Sequence, residues 1–125
     1  MYLSENQETG IPMSDVTIYH NPRCSKSRQT LELLRDKGVE PLVVEYLKTP
    51  PSPAELTAIL GKLGLGPRDI RRAKEAAEAG IPADLDGEAL IAALSANPSA
   101  IERPIVVKGD RARVGRPPES VLDLL

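Results

Sequence analysis

The stretch VTIYHNPRCSKSRQTLELLRDKGVEPLVVEYL, residues 16–47, decides how the chain folds. Val16-Thr17-Ile18-Tyr19 is a β-branched and aromatic run that stops at His20-Asn21-Pro22, the pattern of a strand followed by a turn. From Cys24 or Ser25 to Lys37, Leu31, Leu33 and Leu34 supply an apolar stripe. Gly38 then stands where a helix ends on a left-handed residue. Pro41 to Leu47 reads as a second strand. Strand, helix and strand make a βαβ unit, whose two strands are expected to be parallel.

Downstream, Ser52 caps a second helix, Pro53 takes its first position and Glu55 completes an S-x-x-E box. Leu56, Ile59, Leu60 and Leu63 recur at helical spacing until Gly64. Residues 67–100 are helical in character, one piece carrying Arg68, Arg71 and Arg72 and another built on Ala89, Leu90, Ala93 and Leu94; no strand is expected there. Ile105-Val106-Val107 and Arg111-Ala112-Arg113-Val114 flank Lys108-Gly109-Asp110 as a hairpin. Pro117 opens a last helix carrying Val121, Leu122 and Leu125. A parallel unit joined to an antiparallel hairpin predicts an α/β fold with a four-stranded mixed sheet flanked by helices and a helical insert before the third strand. That arrangement resembles the thioredoxin-like fold.

The chain has 125 residues, enough for one domain over 14–125, and residues 1–13 are polar and aperiodic, read as a flexible extension. Sixteen basic and eighteen acidic residues give a net charge of -2, which argues against a general nucleic-acid binder. Three Tyr with no Phe or Trp remove the stacking platforms of single-strand binders and leave an aliphatic core. No apolar run approaches the roughly 20 residues of a membrane span, and the N-terminus lacks the basic start and apolar stretch of a secretory signal. A cytoplasmic protein with no membrane or nucleic-acid partner is expected.

The chemistry centres on one residue. Cys24 is the only cysteine, so neither an internal disulfide nor a four-cysteine metal cage can form, and no metal site is expected. It stands between a strand and a helix, where unpaired backbone N–H groups and the helix dipole favour a thiolate. Arg23, Lys26 and Arg28 add charge of the same sign. An isolated cysteine is more often a small buried hydrophobe, but Asn, Arg, Ser and Lys do not line an apolar pocket. Ser27 occupies the place of the second cysteine in C-x-x-C, so a disulfide must be made with another molecule. Thr30 occupies the place of the arginine in a C-x5-R phosphatase loop.

Four segments in order, HNPRCSKSR at 20–28, Lys48-Thr49-Pro50-Pro51, ERPIVV at 102–107 and GRPPESVLDLL at 115–125, resemble the glutaredoxin-coupled arsenate reductases. The resemblance runs from Val16 to Leu125 and is closest to the short chromosomal branch of that family. It implies that Cys24 attacks arsenate to form a thiolate-arsenate adduct, that glutathione enters as co-substrate with no bound cofactor, and that glutaredoxin regenerates the thiol as arsenite leaves. It implies further that Arg72, Arg103 and Arg116 hold the oxyanion, with Arg71 the neighbour that competes for the place of Arg72. His20 and Ser27 are the implied helpers of the thiolate, and Pro104 the implied cis-proline facing it. A monomer is expected. The Lys26-bearing C-S-K-S loop departs from the plasmid-borne members, which have smaller residues there, and this bears on substrate preference.

Arginine suits such a site because its planar fork makes bidentate, permanently charged contacts. Two other readings compete. The fold and the cysteine loop also resemble the Spx regulators, which bind RNA polymerase and sense thiol oxidation, but those carry C-x-x-C; Ser27 with Arg103 and Arg116 favours the enzyme. A generic glutathione-dependent thiol reductase shares the same residues.

Overall fold

A computed structural model describes residues 15–125; the expected extension over 1–13 lies outside the described residues. The chain runs through β1 (Val16–His20), α1 (Ser25–Asp36), β2 (Leu42–Glu45), α2 (Pro53–Leu63), α3 (Ala73–Glu78), α4 (Gly87–Ala96), β3 (Ile105–Lys108) and β4 (Arg111–Val114). Short 3-10 turns stand at Pro67–Ile70 and Pro98–Ala100, and a longer one, Pro118–Leu124, closes the chain. The sheet order is β2-β1-β3-β4. β1 pairs parallel with β2 (Ile18 opposite Val43) and antiparallel with β3 (Ile18 opposite Val106), and β3 pairs antiparallel with β4. This is the mixed four-stranded sheet that the βαβ unit and the hairpin imply.

Alternation along the strands divides the core. Ile105 and Val107 face Leu56, Ile59, Leu60, Ile70, Leu90 and Leu94 from the helices between β2 and β3. Val16, Ile18 and Val106 face Leu34 of α1 and Val121 and Leu124 of the last turn. β1 is therefore sandwiched, and its C-terminal end, where His20 gives way to Asn21, is a fixed platform for the loop that follows.

Local chemistry sets the boundaries. α2 starts on a complete capping box: Glu55 N–H donates to Ser52 Oγ at 3.1 Å, and Ser52 N–H to Glu55 Oε1 at 2.8 Å. It ends on Gly64 at φ 69°, a left-handed position that glycine takes without steric cost. Three boundaries differ from the sequence pattern. β2 stops at Glu45, because the N–H groups of Lys48 and Thr49 turn back onto the Glu45 carbonyl at 2.9 and 3.0 Å. The last element is a 3-10 turn beginning at Pro118, with Pro117 as its N-terminal flank.

The third difference lies in the helical insert. Arg71 and Arg72 are outside any helix, both in extended backbone, and Arg71 forms an isolated antiparallel bridge with Ile101. Arg72 N–H donates to the Ala100 carbonyl at 2.8 Å and Glu102 N–H to the Ile70 carbonyl at 2.7 Å. These bonds lace the start of the insert to its end and set Arg72 beside Glu102. Among the described residues no helix is long and apolar enough to cross a membrane.

Candidate active site

Cys24 is the N-cap of α1, and the turn before it is built from its own residues. Cys24 N–H donates to the Asn21 carbonyl at 3.0 Å, Arg23 N–H to Asn21 Oδ1 at 2.9 Å, and Arg28 Nη1 to the Pro22 carbonyl at 2.9 Å. Ser27, fully buried, receives the Asn21 N–H on its hydroxyl at 3.0 Å and shares a 2.7 Å hydrogen bond with His20 Nδ1. No acidic residue stands in the first turn of the helix. The thiol itself is partly exposed.

Burial pushes the Cys24 thiol up. The backbone N–H of Ser27, the Arg103 guanidinium, the backbone N–H of Lys26 and the Arg103 charge pull it down, and the net result lies below the ordinary thiol value. Ser27 thus acts on the sulfur through its main chain, while its hydroxyl is engaged in the loop. His20 is buried, its pKa is lowered chiefly by that burial, and its hydrogen bond goes to Ser27 and not to the thiol.

The arginines come from the other side of the sheet end. Arg116 Nη2 donates to Cys24 Sγ at 3.4 Å, and Arg116 Nε donates to the Arg103 carbonyl at 2.8 Å. Arg103 Nη1 reaches the Ser99 carbonyl at 3.3 Å, and its Nε is buried without a partner. Both arginines precede cis-prolines, Pro104 as expected and Pro117 in addition. Arg116 is aimed by close packing at Gly115, where a Cβ would lie 2.6 Å from Thr30 Oγ1 and 2.8 Å from Pro104 Cγ.

Arg72 makes no contact with the thiol. Its Nη1 donates to Glu102 Oε1 at 2.7 Å, and its Nε stands 3.2 Å from Glu75 Oε2. Arg71 turns away, its Nη1 on the Ala83 carbonyl at 2.9 Å. Glu102 Oε1 also receives Arg103 N–H at 3.2 Å and lies 2.9 Å from Arg116 Nε, so one carboxylate oxygen touches all three arginines. Tyr46, only 2% exposed, has its hydroxyl buried beside the Asn21 side chain, where it feels the charges of Arg103, Cys24 and Arg72. Glu102 and Tyr46 are the site residues that the sequence does not announce. Glu102 adjoins Arg103 in the chain, the one hint available.

A cysteine at a helix N-terminus after a central strand, in a fold with a cis-proline before β3, defines a thioredoxin-like thiol site, here with the Arg116 and Arg103 guanidiniums acting on the sulfur. The ArsC family pattern matches residues 19–124, and the chain belongs to that family. It is 51% identical to the uncharacterized Escherichia coli K12 protein YfgD over 88% of this chain and 96% of that protein. It is 46% identical to the arsenate reductase of Haemophilus influenzae over 88% of this chain and 98% of the relative. The solved arsenate reductase of Vibrio cholerae superposes with a TM-score of 0.82 at 48% identity, covering 88% of this chain and 97% of its own.

Proposed function

We propose that this chain is a glutathione- and glutaredoxin-dependent arsenate reductase acting through the Cys24 thiolate. The observation that carries the reading is the Arg116 guanidinium set against Cys24 Sγ at 3.4 Å, with Arg103 acting on the same sulfur and holding a buried, unpartnered Nε. A sulfur that senses oxidation needs donors only to lower its pKa; a sulfur that must attack an anion needs further donors to hold that anion, and Arg103 Nε is one left unpartnered. The arsenate reductase named among the relatives supports the same substrate.

In the first step the Cys24 thiolate attacks arsenic, an S–As bond forms, and one arsenate oxygen leaves as water with protons from solvent. Helix N–H groups and guanidiniums offset the repulsion between thiolate and oxyanion. Glutathione then attacks Cys24 Sγ. As the S–S bond forms the S–As bond breaks, its electron pair stays on arsenic, and As(V) becomes As(III). Arsenite leaves, and glutaredoxin takes the glutathione from Cys24 by thiol–disulfide exchange, restoring the thiol.

The test is arsenate-dependent NADPH oxidation by the full chain coupled to glutathione, glutathione reductase and glutaredoxin. Turnover that needs all four components is expected. NADPH oxidation that requires the chain and a low-molecular-weight mixed disulfide but not arsenate would move the reading to a general thiol reductase.

A further inference from the structure

Glu102 is at odds with a site built only to attract anions. The three guanidiniums of the ridge are matched by the carboxylates of Glu102 and Glu75 and by the Cys24 thiolate once the thiol ionises. The remaining charge of Arg23, Lys26 and Arg28 attracts any anion alike, so the choice between anions falls to the directions of individual donors and acceptors. The carboxylate is also lopsided. Arg72 Nη1, Arg103 N–H and Arg116 Nε all meet Oε1, at 2.7, 3.2 and 2.9 Å, and none of these contacts falls on Oε2. The Glu102 side chain is 27% exposed, and Oε2 takes no hydrogen bond from the three arginines. Arg116 meets Oε1 through Nε and Cys24 Sγ through Nη2, so one guanidinium links the carboxylate to the reacting sulfur.

An ionised carboxylate only accepts hydrogen bonds. Arsenate and phosphate keep an O–H at neutral pH, whereas sulfate keeps none and presents acceptors on every side. We infer that Glu102 is the specificity-determining residue of the site: its free Oε2 accepts a hydrogen bond from an oxyanion that still carries a proton and repels one that carries none. The inference rests on the oxyanion site proposed above and adds the rule by which that site chooses. A site built to pair a ligand hydroxyl discriminates strongly against the analogue that lacks it, because the acceptor is then left facing another acceptor. A purely positioning role for Glu102, holding the three arginines in place, needs only an oxygen at Oε1, and glutamine supplies that.

The experiment measures how phosphate and sulfate slow alkylation of Cys24 by iodoacetamide at pH 7, read by intact mass, with chloride at matched ionic strength as control. Wild type and Glu102→Gln are compared, each checked for folding by thermal melt. In wild type, half-protection by phosphate is expected at a concentration at least about tenfold below that of sulfate, and in Glu102→Gln the ratio is expected to fall to about threefold or less through tighter sulfate binding. Equal protection by phosphate and sulfate in wild type overturns the inference while leaving the oxyanion site standing, and this comparison decides even where the variant does not fold. A phosphate-to-sulfate ratio in a folded Glu102→Gln that stays at the wild-type value overturns it in favour of a positioning role, which the glutamine oxygen fulfils. Wild-type protection no better than chloride overturns the oxyanion site and this inference together.

Discussion

The thiol loop from His20 to Arg28 satisfies its polar groups from within itself, whereas the arginine ridge opposite is assembled from distant segments. Asn21, Ser27 and His20 form one closed set of hydrogen bonds under Cys24. On the ridge, Arg72 and Glu102 meet across a sequence separation of 30, and Arg116 reaches Cys24 across 92. The loop is thus a property of local chain chemistry, while the ridge exists only when the insert, the cis-prolines and β4 are all in place. The difference separates two contributions to the sulfur: the loop supplies backbone N–H donors from its own helix start, and the ridge brings the Arg103 and Arg116 guanidiniums to it from far along the chain.

The largest effect is expected on the loop side. Cys24→Ser removes the thiolate and should abolish both arsenate turnover and the single glutathione adduct that wild type forms with oxidised glutathione, with the melting temperature unchanged. An adduct on the variant, seen by intact mass, would contradict the assignment of the nucleophile. On the ridge side, Arg116→Lys keeps the charge but cannot contact Cys24, Glu102 and the Arg103 carbonyl together. Arsenate turnover is expected to fall by at least about tenfold, equivalent to roughly 1.4 kcal/mol for a lost forked contact. Activity equal to wild type would show that Arg116 contributes only charge.

The same division governs what the sequence reveals. Strand, turn and helix cap are short-range, so Cys24 stands out at its helix start, whereas His20, Ser27, Arg103 and Arg116 come into view as site residues only through the family resemblance. Arg72 is harder to read, since helical spacing cannot choose between neighbouring arginines. The bridge of Arg71 with Ile101 makes the choice, sending Arg71 to Ala83 and Arg72 to Glu102. Glu102 is printed in the ERPIVV segment, yet its contact with Arg72 depends on a pairing that no local pattern encodes. Gly115 is equally silent, because only the packed structure brings Thr30 and Pro104 against its Cα. The arrest of β2 at Glu45 was hidden in turn by Tyr46 and Leu47, which continue the apolar pattern while the backbone already curls.

Ser27→Ala sharpens the contrast between a residue's backbone and its side chain. The substitution leaves His20 Nδ1 and the Asn21 N–H without their partner in a buried place, for which a loss of about 1–3 kcal/mol of stability is expected in a urea titration. The backbone N–H that lowers the thiol pKa remains. The midpoint of Cys24 alkylation against pH should therefore stay below that of free cysteine in the variant. A midpoint that rises to the free value would mean that the hydroxyl, and not the helix N-terminus, holds the thiolate.

The smallest expected effect concerns His20 and tests whether the loop is closed to protons as well as to partners. Burial lowers the His20 pKa, the Arg35 and Arg28 charges act in the same direction, and Glu45 opposes them. In the unfolded chain a histidine titrates near about 6.5. Below that value the unfolded state takes a proton that the folded imidazole refuses, so stability falls with falling pH until the lower folded pKa is passed, and the contribution is complete above the unfolded pKa. One site bounds the slope at one proton, about 1.4 kcal/mol per pH unit. His20 is the only histidine in the chain, but the lowered Cys24 pKa gives a slope of the same sign at higher pH. The measurement therefore belongs in a Cys24→Ser background, where urea stability is followed downward from neutral pH and compared with the same background carrying His20→Gln. The glutamine variant is expected to lose the slope just below the histidine range and keep the steeper fall where carboxylates protonate. Parallel curves for the two would mean that His20 accepts its proton in the folded state and that the loop opens to admit it.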